Sequence, residues 1–213
     1  MKKLLIPIFV LILSLTVSAN ENDKLIALTF DDGPCVEYTL EILDILKEHN
    51  ARATFFVIGE NANEHPDVVE KIAQSGSEIG NHTWSHAWLD LLSEDEIREE
   101  FKKTHNLITS ITGKSPKIFR APGGRINEKV LSVADEFSYT SVLWSKDTRD
   151  WEKTSVESVV SLALDSVKDG DIILFHDYNR KNSPTPRALR AILPKLLNNG
   201  YKTVTVSELL SLS

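Results

Sequence analysis

Two adjacent carboxylates, Asp31 and Asp32, followed by Gly33-Pro34, stand at the end of an apolar run that reads as a strand. Neighbouring anions repel, and on a strand they point to opposite faces, so the pair makes sense where a turn follows and a cation gathers at least one of them. Two imidazoles are at hand for that cation. His82 and His86, in Asn81-His82-Thr83-Trp84-Ser85-His86, are spaced i, i+4 and on one helical turn would share a face. One carboxylate and two imidazoles leave coordination positions open for water and substrate, the pattern of a catalytic rather than a structural metal centre. The chemistry expected is hydrolysis. Taken singly, Asp-Asp-Gly-Pro is more often a surface turn and a His pair of this spacing is as often incidental. Their weight comes from the ordered motifs that follow them.

The elements that must position these residues alternate short apolar runs with amphipathic stretches. Strands are expected at 24–30, 53–58, 77–80, 117–120, 138–144, 171–177 and 201–206. Helices are expected at 36–49, 66–75, 94–112, 127–136, 155–168, from the Pro-containing loop 182–186 to 198, and at 207–212. Ser93 and Glu96 form a capping box for the third of these, and Gly113 stops it. About seven strand and helix pairs in regular alternation argue for a parallel (β/α) barrel, with an open doubly wound sheet as the alternative. Asp31, Asp32, His82, Arg120, Asp150 and His176 all fall just after a predicted strand. In parallel α/β folds that is the rim where active sites are built.

Residues 1–19 carry Lys2-Lys3, an apolar run from Leu4 to about Val17 and small residues at Ser18-Ala19, and read as a secretory signal peptide. The run is shorter than the ~20 apolar residues that span a bilayer, so no stable membrane anchor is expected once it is cleaved. The protein is thus expected to be exported, to a periplasm or the cell exterior, with 20–213 as a single catalytic domain without an appended carbohydrate-binding module. Losing Lys2 and Lys3 takes the formal net charge from −7 to −9, which disfavours nucleic acid and anionic membranes as partners. Cys35 is the only cysteine, so no internal disulfide is available and the core must hold the fold; it reads as a small buried residue at a helix start.

The segments TFDDGP at 29–34, HTWSH at 82–86, RAPGG at 120–124, DTRDW at 147–151 and LFH at 174–176 resemble, in order, the five motifs of the NodB-homology polysaccharide deacetylases, carbohydrate esterase family four. The resemblance spans almost all of the chain after residue 19. It implies a distorted seven-stranded (β/α) barrel and metal-dependent removal of acetyl groups from polysaccharides. By that resemblance Asp31 is the general base, and Asp32, His82 and His86 hold one divalent ion, most often zinc, with cobalt or manganese able to substitute. Arg120 holds the base by a salt bridge, the Gly123 N–H helps bind the oxyanion, Asp150 orients His176 as general acid, and Trp151 and Leu174 line the acetyl pocket. The family often has an aromatic where Gly123 stands, which alters one wall of the groove.

Independent chemistry agrees. An amide is a poor electrophile, so hydrolysis needs a polarised carbonyl, an activated water and a proton for the leaving amine. A carboxylate that ligates a metal has its lone pairs committed, so base and ligand require two separate Asp residues. The expected substrate is an N-acetylated polysaccharide or oligosaccharide, with N-acetylglucosamine or N-acetylmuramic acid units of peptidoglycan or chitin-like chains. Alternatives are O-deacetylation of xylan on the same site, hydrolysis of a small cyclic amide, and a glycan-binding protein that keeps the metal without turnover. His49, His65 and His105 read as surface or capping residues, and Trp84 and Trp88 as either sugar-stacking or core.

Overall fold

The inward-facing residues of the first strand read Leu25, Ala27, Thr29, Asp31, and that single column sets the layout of the molecule. The computed structural model describes residues 24–152, 154–178 and 181–212. The expected signal segment lies outside them. Along the chain run β1 (Lys24–Asp31), α1 (Val36–Glu48), β2 (Thr54–Val57), α2 (Gly59–Glu64), α3 (Pro66–Gln74), β3 (Glu78–Asn81) and α4 (Glu94–Thr112). Then come β4 (Ile118–Phe119), α5 (Glu128–Glu136), β5 (Thr140–Ser141), β6 (Lys146–Asp147), α6 (Val156–Leu164), β7 (Ile172–His176), α7 (Thr185–Asn198), β8 (Tyr201–Thr203) and α8 (Val206–Ser211).

Seven strands follow one another in the order β5-β4-β3-β2-β1-β7-β6, and every pair is parallel. β8 pairs with the start of β1, through Lys24 to Ile26. The expected distorted (β/α) barrel is borne out. Among the described residues no ladder joins β5 to β6, so the curled sheet stays open on that side.

Burial divides by face. Phe30 stacks between Phe55 and Phe175 at ring separations of 5.1 and 5.5 Å, and with Ile26, Leu28 and Ile173 meets the buried faces of α1 and α7. Inside the curl, Leu25, Ala27, Phe56, Ile118 and Val142 pack on Val206 and Leu209 of α8, which closes the bottom with apolar side chains. Above that plug the column turns polar at Thr29 and ionic at Asp31. Apolar burial thus holds the lower half, and the upper half is left to carry charge.

Several expected boundaries shift. The strand read over 138–144 ends at Ser141, because the carbonyls of Val142 and Leu143 accept from the Arg120 guanidinium at 3.2 and 3.0 Å. The helix read to Lys168 stops at Leu164, with Ser166 in the left-handed region at φ 51°. α2 was hidden in the sequence, since Gly59-Glu-Asn-Ala-Asn-Glu64 is six residues long, has Gly and two Asn among its residues, and shows no apolar period. Cys35 is buried at the N-cap of α1, as expected. His105 departs from its surface assignment: its Nδ1 lies 2.8 Å from the Tyr139 hydroxyl and its ring packs near Phe137.

Candidate active site

The β1 and β7 ladder aligns Asp31 with His176, and Thr29 with Leu174, so a carboxylate and an imidazole stand level on neighbouring strands. β3 delivers His82 one residue past its end, and β4 delivers Arg120 in the same way. After β6, Thr148 turns the chain by donating to the Leu174 carbonyl at 2.8 Å, which brings Asp150 against β7. The expected convergence on one rim is what the fold produces.

His82 and His86 do meet, though not on a helical turn. Thr83 and His86 have φ of 68° and 59°, left-handed values that no α-helix contains. The turn is built by side chains instead: Asn81 Oδ1 accepts from the Thr83 N–H at 2.8 Å, and the Glu100 carboxylate accepts from the N–H groups of Trp84 and Ser85 at 2.8 and 2.9 Å. Asn81 is fixed in turn by donating to the Phe101 carbonyl and the Tyr139 hydroxyl, both at 3.0 Å. Asn81 and Glu100 are therefore site-forming residues that sequence reasoning missed. Asn81 carried a signal, since it precedes His82 at a strand end; Glu100 sits in an ordinary helix and carried none.

Asp32, His82 and His86 converge. Their nearest ligand atoms all lie within 4.8 Å of one another. His82 Nε2 and His86 Nε2 stand 3.2 and 3.1 Å from Asp32 Oδ1, yet that buried oxygen has no hydrogen-bond partner. His82 Nδ1 is 2.7 Å from the Arg120 carbonyl oxygen, to which only an N–H can be directed, so its Nε2 can offer a lone pair to the centre. Two nitrogens and a carboxylate oxygen aimed at one another suit a divalent cation, and the donor set is one that zinc or cobalt accepts. Without the cation, protons take its place. Burial alone would raise the Asp32 carboxyl, but the two imidazoles outweigh it and hold the group well below the usual carboxylate range. Burial alone would lower His82, and the neighbouring Asp31 and Asp32 reverse that to an upward shift.

Asp31 stays outside this set, with its Oδ2 3.9 Å from His82 Nε2. Its Oδ1 accepts from Arg120 at 2.8 Å, and the same guanidinium nitrogen donates to Thr29 Oγ1 at 2.8 Å. Arg120 is fully buried, stacked over Phe56 at 4.2 Å, and its charge is matched by Asp31. Removing one member of such a pair strands the other. Arg120→Met is expected to destabilise the chain by about 3–5 kcal/mol, read as a lower urea midpoint at unchanged m value.

On the neighbouring strand His176 Nδ1 donates to Asp150 Oδ1 at 2.8 Å, while Asp150 Oδ2 accepts from the His176 N–H at 2.8 Å and from Thr185 Oγ1 at 2.6 Å. Burial would lower the His176 imidazole, but its bond to Asp150 and the charges of Asp150, Asp31 and Asp32 raise it to about 9. Thr185 is a further positioning group, unmarked in the sequence. A cavity of about 330 Å³ opens beside His176, lined by Asp32, Asp150, Trp151, Tyr178, Ser183 and Thr185. Trp151 is half exposed at its edge, and Leu174 is buried two residues before His176 on β7. A larger cleft of about 730 Å³, between α1 and α3, opens at the other end of the strands, away from these groups.

The turn between Asp32 and α1 is locked from below. Asp177 Oδ2 accepts from Thr39 Oγ1 at 2.5 Å, Thr39 Oγ1 accepts from the Cys35 N–H at 2.8 Å, and a Cβ on Gly33 would fall 2.2 Å from Asp177 Oδ2. Only glycine fits there. Gly123 holds a left-handed φ of 63°, and a Cβ there would meet nothing nearer than Arg125 at 3.8 Å, so its constraint is conformational.

A family model described as polysaccharide deacetylase matches residues 18–142. The chain belongs to that family. It is 43% identical over 191 residues to a peptidoglycan-N-acetylglucosamine deacetylase of Bacillus cereus, covering 89% of each chain. Among solved structures, the Bc1960 peptidoglycan N-acetylglucosamine deacetylase is 40% identical with a TM-score of 0.85, covering 88% of both chains. A family 4 acetyl xylan esterase from Clostridium thermocellum, solved with a cobalt ion, is 37% identical with a TM-score of 0.84, covering 89% of this chain and 91% of that one. As a polysaccharide deacetylase the protein is a hydrolase, and the parallel open barrel is the fold that these relatives share.

Proposed function

We propose that this polysaccharide deacetylase is an exported N-deacetylase, acting on N-acetylglucosamine or N-acetylmuramic acid units of peptidoglycan or chitin-like chains. The observation that carries the reading is the placement of Asp31 and His176, level on neighbouring strands, at the rim where Asp32, His82 and His86 converge. Similarity to peptidoglycan deacetylases over nearly the full chain supports the substrate class. Residues 1–19 would be the export signal, and among the described residues no helix is long and apolar enough to cross a membrane.

Asp32, His82 and His86 would hold the divalent ion, most simply zinc. Once bound it supplies Lewis acidity that polarises the acetyl carbonyl and makes water more acidic. Asp31, held by Arg120 and turned with Oδ2 toward the cluster, takes a proton from the attacking water as its oxygen bonds to the carbonyl carbon. The Gly123 N–H stabilises the oxyanion as negative charge builds on the carbonyl oxygen. His176, whose protonated form the bond to Asp150 favours, gives its Nε2 proton to the sugar nitrogen as the C–N bond breaks. Acetate and a free amine leave, and the Asp31 proton returns to solvent. Trp151 and Leu174 would line the acetyl pocket, Trp151 from the turn after β6 and Leu174 from β7 beneath His176.

Asp150→Asn tests the acid. Losing that charge removes what raises His176, so the alkaline limb of kcat/KM should move to lower pH, and the rate at neutral pH should fall about 10²-fold. An unmoved limb would take Asp150 out of this role. The overall reading is tested by acetate release from peptidoglycan, chitin oligomers and acetylated xylan, each with and without a chelator. Chelator-sensitive release from N-acetylated glycans is expected. Release from xylan alone would favour the O-esterase reading, which the 37% identical acetyl xylan esterase supports as the second choice. Binding without release would favour a non-catalytic glycan binder, although Asp31 and His176 are both in place.

A further inference from the structure

Beside the catalytic rim stands an exposed indole whose surroundings are unusually well anchored. Trp88 follows the metal-binding candidate His86 by two residues, so their Cα atoms lie within about 7 Å, yet Trp88 is 52% exposed. The Arg125 guanidinium lies over one face of its ring, 4.6 Å from the centroid. Arg125 in turn grips Asp90: Nε donates to Oδ1 and Oδ2 at 2.9 and 3.0 Å, and a terminal nitrogen donates to Oδ2 at 2.6 Å. The backbone beneath is pinned as well. Leu89 is fully buried among Ile97, Phe101 and Val130, Asn127 Nδ2 donates to the Asp90 carbonyl at 3.4 Å, and Lys129 Nζ donates to the Leu92 carbonyl.

Nothing in hydrolysis at Asp31 and His176 uses this unit. A large apolar ring in water is unfavourable, and a chain gains nothing by fixing it there unless something covers the open face. The partner's chemistry follows from three features. The ring is flat, and one face is already occupied by Arg125, leaving a one-sided platform of the kind that packs against the C–H face of a pyranose. Asp90 neutralises Arg125, so the platform neither recruits anions nor repels neutral sugars. Arg125 directly follows Gly124 of the RAPGG segment, so the platform joins the groove wall where Gly123 provides no side chain.

We propose that Trp88, braced by Arg125 and Asp90, binds a sugar ring of the same polymer chain, one unit or more away from the ring being deacetylated. This rests on the deacetylase reading and adds a chain-length preference to it. Because the indole is pre-positioned, stacking costs little side-chain entropy and the gain falls on binding rather than on the chemical step.

The test is steady-state acetate release from N,N′-diacetylchitobiose and hexa-N-acetylchitohexaose (chitohexaose below) by the metal-loaded chain, together with titration of chitohexaose binding by calorimetry. Trp88→Ala should raise KM for chitohexaose about tenfold with kcat unchanged, lower the hexamer-to-dimer ratio of kcat/KM, and weaken calorimetric binding in proportion. Trp88→Phe should recover most of the loss, and Arg125→Met should move the ratio the same way by less. An unchanged ratio, or equal loss on both lengths, would overturn the platform. If the parent chain released acetate from no glycan at all, the deacetylase reading would fall, and undiminished hexamer binding by Trp88→Ala would then overturn the platform separately.

Discussion

Asp31→Asn should lower kcat/KM for acetate release by about 10³-fold while metal content and unfolding temperature stay near those of the parent. Asp31 Oδ1 is committed to Arg120 at 2.8 Å, and Oδ2 stands 3.9 Å from His82 Nε2, beyond the 3.1 to 3.2 Å spacing that joins Asp32 to the imidazoles. Asn keeps the shape and can still accept from Arg120 through its amide oxygen, so the scaffold survives. What it cannot do is accept a proton from water at neutral pH. Atomic emission on the purified variant separates the two roles: loss of the ion with loss of rate would make Asp31 a ligand, and unchanged turnover would remove it from the reaction.

Stripping the ion should have the larger effect. After exhaustive chelation, acetate release is expected to fall below detection and to return on adding zinc or cobalt; persistent turnover in metal-free protein would defeat the site assignment. His82→Ala and His86→Ala should both lose the ion, but with different consequences for folding. His82 is buried and tied to the Arg120 carbonyl, whereas His86 is partly exposed. The first should therefore unfold at distinctly lower temperature, and the second close to the parent. Acid should also displace the ion, because Asp31 and Asp32 favour protonated His82 and every proton bound there must leave before the nitrogen can ligate. Occupancy falls as pH falls. In the metal-free chain the linkage at His176 has the opposite consequence for stability. Its folded pKa of about 9 lies above the unfolded 6.5, so its contribution is complete below pH 6.5 and is lost as pH rises through 9.

The sequence made the architecture and the reacting groups legible for a physical reason. Strand-end positions in a parallel sheet share one rim, which drew Asp31, His82, Arg120 and His176 together, while the roles of these residues and of Asp150 were what the motif resemblance implied. The backbone that carries the two histidines was not legible. An i, i+4 spacing suggested a helix, and left-handed residues at Thr83 and His86, held by Asn81 and Glu100, gave the same convergence by another path. Glu100 contributes from a different element 14 residues beyond His86, and no local pattern marks such a partner. The short strands β4 and β5 were overextended in the reading, β5 because the guanidinium of Arg120 takes the Val142 and Leu143 carbonyls that a ladder would otherwise have used, and β6, two residues long, was read as loop. Leu174 and Trp151 could be placed near His176 by their motifs; Leu174 shares the face of β7 that carries His176, and Trp151 reaches the cavity from the turn after β6.

Arg120 holds two partners at its two ends. Its guanidinium clasps Asp31 while its own carbonyl receives His82. A proton acceptor and an imidazole donor are therefore gauged against a single amino acid instead of against two independent strands. The distance between proton acceptor and imidazole is thereby set through one side chain and one carbonyl of the same residue, on the side where the sheet is not closed by a ladder.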